Sequence, residues 1–107
     1  MSNNQITVKE RQGRGMLTAR VQKKANELLG RPITVKELRL YPYIQYTMMN
    51  SQALDPAHMN QDDRNVLARL RCEGHIEGGA SGLQITKEFW DIMNEIIFLG
   101  YVDLFEV

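Results

Sequence analysis

Apolar and polar positions alternate with a helical period through most of the chain. The densest apolar stretch is residues 86–100, TKEFWDIMNEIIFLG, where Phe89, Ile92, Met93, Ile96 and Ile97 fall three and four apart and share one face. That spacing predicts a core helix. Thr86 suits its N-cap, Glu88 and Asp91 sit in or near a first turn where the helix dipole favours acids, and Gly100 can adopt the left-handed conformation that ends it. A second amphipathic helix is predicted over residues 17–29, with Leu17, Val21, Ala25, Leu28 and Leu29 on one face and Arg20, Lys23, Lys24 and Glu27 on another. Gly30 and Pro32 stop it.

Thr34 and Glu37 have the spacing of a capping box, so a third helix should start there. Pro42 disfavours helical geometry at Tyr41 and suits the first turn of a new helix, which predicts two short helices, 34–40 and 42–50, the second with Ile44 and Met48 inward. Asn60 can cap a further helix, with Asp62 and Asp63 in its first turn and Arg69 and Arg71 in its last. Residues 74–82, GHIEGGASG, read as a loop or loose hairpin turn. Residues 83–85 read as a short extended piece, and the strand formers of residues 101–107 could pair with it or with residues 75–77. The pentapeptide ITVKE occurs at 6–10 and again at 33–37, and ITKE at 85–88, which reads as one helix-start signal reused. The sum is a mainly α fold: a single compact domain of four or five helices over residues 16–107, with a minor C-terminal strand pair, preceded by a flexible basic arm over residues 1–15. The helix, short strand, helix order of the C-terminal half is similar to a winged-helix arrangement.

Composition leaves this picture intact. With 107 residues, 43% of them hydrophobic and 24% charged, one core without staples is affordable and global disorder is not expected. A single cysteine, Cys72, excludes an intramolecular disulfide, and no apolar run is long enough to span a bilayer, so a cytoplasmic protein without a membrane role is expected. Charge adds an asymmetry. Residues 1–40 hold nine basic and three acidic side chains, and residues 41–107 four and ten, so the formal net charge of zero is a balance between halves of +6 and −6. Arg11, Arg14, Arg20, Lys23, Lys24, Arg31, Lys36 and Arg39 are therefore the candidates for contact with nucleic acid, either as one basic surface or as solvated charge.

Chemistry-bearing motifs are thin. Gly78-Gly79-Ala80-Ser81-Gly82 lacks the Gly-Lys-Ser/Thr of a phosphate loop, and Ser81 is not in a nucleophile elbow. Cys72, His75 and Glu77 offer three metal ligands but no second pair completes a zinc site, so neither metal nor cofactor is expected. No catalytic residue is assigned. The tyrosines and methionines around residues 41–49 carry a different signal, since aromatic rings give contact area at low entropic cost and methionine adapts its shape. Tyr43, Tyr46 and Met49 are candidate protein-binding residues, joined by Phe98, which falls on the otherwise polar Asp91, Asn94 and Glu95 face of its helix. The expectation is a small non-catalytic binding or regulatory protein acting through protein contacts, self-association included. The alternative is a helix-turn-helix-like nucleic-acid-binding regulator using the basic half, although residues 42–50 carry no Arg or Lys to read bases.

Overall fold

A computed structural model describes residues 13–50 and 52–104. Most of the proposed basic arm, Arg11 included, lies outside the described residues. The elements run α1 (Ala19–Leu29), α2 (Val35–Met49), a short 3-10 turn (Pro56–His58), α3 (Gln61–Cys72), a hairpin of β1 (Ile76–Gly79) and β2 (Gly82–Ile85), and α4 (Lys87–Ile97), which passes into a single π turn (Phe98–Val102). The fold is mainly α, with one compact domain of four helices and a small antiparallel hairpin.

Each helix begins on a side chain that relieves the free N–H groups of its first turn. Thr18, Thr34 and Thr86 accept from Val21, Glu37 and Phe89 at 3.2, 3.1 and 3.1 Å. Asn60 and Asp63 form a reciprocal capping box on α3, at 2.9 and 3.1 Å. At Thr34 only half of the expected box forms, because the Glu37 carboxylate turns away from the cap and into the protein. α1 stops where its pattern stops: Gly30 is left-handed, with φ 74°, and its N–H returns to Asn26.

The core forms where α2 packs on α3 along one side and on α4 along the other, with α1 laid on α4 and the hairpin closing the α3 end. Val21 and Ala25 of α1, Leu38, Tyr41 and Ile44 of α2, Leu67 and Leu70 of α3, and Phe89, Met93 and Ile96 of α4 are buried, each large apolar side chain contributing about 1.5–3 kcal/mol. Tyr41 meets Phe89 edge-on, with ring centroids 5.8 Å apart, and His75 stacks on Phe89 at 4.7 Å.

Three sequence expectations are corrected. Helices 34–40 and 42–50 are one continuous α2, with Pro42 inside it. Pro42 has no N–H for the Leu38 carbonyl, yet Leu38, Tyr41, Ile44 and Thr47 bury a single continuous face across it, and that packing outweighs the lost hydrogen bond. Gly100 does not end α4 in a left-handed conformation. It is buried within the π turn, where a Cβ would stand 3.3 Å from Leu38 Cδ1, so its lack of a side chain serves close packing. Tyr101 and Val102 complete that turn instead of starting a strand, and residues 105–107 lie outside the described residues. The extended pieces pair with each other: Ile76 faces Ile85 and Gly79 faces Gly82, with Ala80 and Ser81 at the tip.

Candidate functional site

α2 presents two large side chains to solvent that its buried face does not require. Tyr46 is 62% exposed and Met49 70%, and the 3-residue spacing puts them side by side. Tyr43, predicted to join them, is diverted: its hydroxyl accepts from the Asp55 N–H at 2.9 Å and its ring lies against His58. Beside Met49 the surface dips into a cleft of about 350 Å³ lined by Met48, Met49, Ile85, Lys87 and Trp90. The cleft exists because α2 and α4 run antiparallel. Gln45 donates to Asn94 at 2.5 Å, and Asn94 donates to the Trp90 carbonyl, which aligns Trp90 with Met48 and Met49 one turn along. Phe98, the fourth predicted contact residue, is 49% exposed and lies two turns from Trp90, towards the other end of α4. The structure thus joins Tyr46 and Met49 but leaves Phe98 apart from them. Ile85 carries no contact signal in the sequence, whereas Trp90, like Phe98, is an aromatic that the one-faced apolar stripe of α4 leaves unexplained. The signal available for Trp90 was its place between the apolar face and the polar face of α4.

The basic residues are distributed over several contacts. Arg20 donates to the Asp103 carboxylate at 3.1 Å and to the carbonyls of Asp103 and Leu99, and its Nε is buried without a partner among the described residues. Arg39 donates to the Gly15 carbonyl at 3.3 Å. Lys24 meets Glu27 at 3.4 Å and Lys36 meets Asp62 at 3.9 Å, both at the surface, where such pairs contribute little. Arg14 and Lys23 are exposed and in no ion pair among the described residues.

Arg31 is the most committed cation. It forks onto both oxygens of Glu37, at 3.1 and 2.9 Å, and onto both oxygens of Glu73, at 2.8 and 2.5 Å. Glu37 is 1% exposed and also accepts from the buried Tyr41 hydroxyl at 2.5 Å. The hydrogen bond from Arg31 holds the Glu73 carboxyl below the usual carboxylate range, and Arg31 itself is raised, chiefly by Glu73. Burial, followed by the facing Glu37 charge, pushes the Tyr41 hydroxyl well above its ordinary value. The arrangement pins the α1–α2 turn to the start of α2 and the end of α3. Arg31, Glu37, Glu73 and Tyr41 direct their polar groups mainly at one another, with Arg31 also donating to the Pro32 carbonyl at 3.0 Å, so the group reads as a structural clasp.

The glycine loop is also engaged. Arg71 donates twice to the Gly78 carbonyl, at 3.1 and 2.8 Å, fixing the hairpin to α3. Cys72 is exposed while the His75 ring lies on Phe89 and 3.6 Å from Glu73, and no group of three His, Cys, Asp or Glu side chains suited to a metal occurs among the described residues. No helix among the described residues is long and apolar enough to cross a membrane. Comparison with known proteins leaves the surface to speak for itself, since no family model, no curated protein and no solved structure matches the chain.

Proposed function

We propose that the protein is a small non-catalytic binding or regulatory protein of the cytoplasm that acts through protein contacts, with the cleft between α2, α4 and β2 as its contact surface. The observation that carries this reading is the pairing of two exposed side chains, Tyr46 and Met49, with an apolar cleft floored by Trp90. Large aromatic and methionine side chains beside a ready-made depression have the composition of an interaction hot spot. Self-association is one form of this contact, since a patch holding both a projection and a cleft can match itself across a two-fold axis.

Trp90 is the chain's one tryptophan, so its fluorescence reports the cleft directly. Light scattering after size exclusion, over a range of concentrations, is combined with Trp90 emission for the wild type and Met49→Glu. A wild type that stays monomeric with constant emission removes the self-association form. A photo-crosslinker placed at position 46 and, as a control, at position 23 then tests for a heterologous partner: adducts formed equally from both positions would remove the reading altogether.

The element order, three helices followed by a hairpin, supports a second reading as a nucleic-acid-binding regulator. It is the weaker one, because Arg20, Arg31 and Arg39 are turned to intramolecular acceptors. A DNA and RNA titration at two salt concentrations tests it, and the absence of salt-dependent binding eliminates it.

A further inference from the structure

α2 lacks the polar outer face that a surface helix normally carries. Val35, Arg39, Pro42, Tyr46 and Met49 follow one another at intervals of four, three, four and three, which sets them in one stripe on the side of α2 away from the buried Tyr41 and Ile44. The stripe is about 21 Å long at 1.5 Å per residue. Val35, 39% exposed, joins Tyr46 and Met49 as large apolar side chains in solvent, and Arg39 is the single charge among the five. A helix that is apolar on both sides is built to be covered on both.

The stripe is symmetrical about Pro42. Val35 lies seven residues before it and Met49 seven after, Arg39 three before and Tyr46 four after. Pro42, half-buried, brings a short ring to the midpoint, where a crossing helix comes closest. Arg39 is already positioned: its Nε donates to the Gly15 carbonyl at 3.3 Å, while its terminal nitrogens make no hydrogen bond or ion pair among the described residues. A guanidinium held at one edge keeps its flat faces free, and an aromatic ring is what such a face stacks on. Tyr46 offers that ring, since its side chain makes no hydrogen bond or ring contact among the described residues. On a second α2 running antiparallel and crossing at Pro42, each Arg39 lies beside Tyr46 of the other copy and each Val35 beside Met49.

We propose that this stripe is the seat of a second copy of the chain, α2 against α2 about a two-fold axis at Pro42. The inference rests on the reading of Tyr46 and Met49 as contact residues and names their partner. Complementarity decides the occupant. The stripe holds one cation, no acid and one free aromatic ring at positions that the axis exchanges, so it matches itself without an opposite charge from elsewhere. Val35 of the second copy then stands beside Met49 at the mouth of the cleft, which makes the cleft and the stripe one continuous interface.

The test uses the full chain with Cys72→Ser, single cysteines and a short bismaleimide crosslinker, scored as covalent dimer. The expected result is that Pro42→Cys crosslinks with itself, and that Val35→Cys and Met49→Cys crosslink when mixed but neither does so alone. Tyr46→Lys, which sets a cation against Arg39, should lower the Pro42→Cys yield about tenfold, and Tyr46→Glu should keep it. Val35→Cys or Met49→Cys crosslinking with itself means a parallel pair and overturns the proposal. Light scattering that finds a dimer without a Pro42→Cys crosslink overturns it as well, while leaving the contact reading in place. A chain that stays monomeric at every concentration also overturns it, and the photo-crosslinker at position 46 then decides separately whether the surface binds another protein.

Discussion

Arg31 grips Glu37 with two parallel hydrogen bonds, at 3.1 and 2.9 Å, although the two residues lie on either side of a helix start. The carboxylate is thereby removed from its local capping role and made the centre of a buried clasp with Tyr41. Replacing Glu37 with Ala leaves the Tyr41 hydroxyl without an acceptor and half of the Arg31 fork empty, and is expected to cost about 3 kcal/mol. Tyr41→Phe should cost about 1 kcal/mol, because Glu37 keeps Arg31. Denaturant unfolding of both variants and of the double mutant measures the coupling, and additivity of the two effects would refute the clasp.

The same clasp predicts both limbs of the stability profile against pH. Glu73 has a folded-state pKa below its ordinary value because Arg31 donates to it. Its contribution is therefore present above the unfolded pKa and is lost as pH falls through the folded one, in the acid range below about 4.5. Tyr41 is shifted the other way, so its neutral hydroxyl contributes fully below its unfolded pKa of about 10 and the contribution declines as pH rises above that. Thermal melts from pH 2 to 11 should show a shallower acid limb in Glu73→Gln and a shallower alkaline limb in Tyr41→Phe.

Pro42 sits in the interior of α2, which makes it a site where substitution should stabilise. Pro42→Ala restores an N–H towards the Leu38 carbonyl and removes the ring from the helix, for an expected gain of about 1–3 kcal/mol. A melting temperature that rises by about 4 °C or more agrees with this. No rise would mean that α2 has adjusted to the ring so fully that nothing is recovered.

Two glycines with nearly the same backbone angle should respond differently to alanine. Gly78, with φ 79°, would place a Cβ 2.0 Å from the Gly82 carbonyl oxygen, so Gly78→Ala has to open the hairpin. Gly30, with φ 74°, has no atom within 4 Å of that position, so Gly30→Ala carries only the left-handed strain, about 1 kcal/mol. Amide exchange in β1 and β2 separates them: protection should fall selectively in the first variant and remain in the second.

Much of the fold was legible because it is written locally. Thr34, Asn60 and Thr86 each cap the helix that follows, and the apolar stripe of α4 buries Phe89, Met93, Ile96 and Ile97 as spaced. Pro42 misled because its local preference is real but smaller than the packing of Leu38, Tyr41 and Ile44 on either side of it. Gly100 misled because a glycine that ends a helix and one that admits a neighbouring Leu look alike in sequence. At the surface, Tyr46 and Met49 were legible as a neighbouring pair on one helix. Trp90 and Ile85 come from elements 40 residues further on, and Tyr43 was lost to an acceptor role towards Asp55 that no spacing rule encodes.

The hydrogen bond from Gly15 to Gly100, with the Arg20 contacts to Asp103 beside it, brings the first and last parts of the described chain to one corner of the molecule. For the engineer this corner is a natural seam. Gly13 and Leu104 can be joined by a short linker and the ring reopened at Ala80 and Ser81, where the hairpin tip is exposed, giving a circular permutant with the same packing.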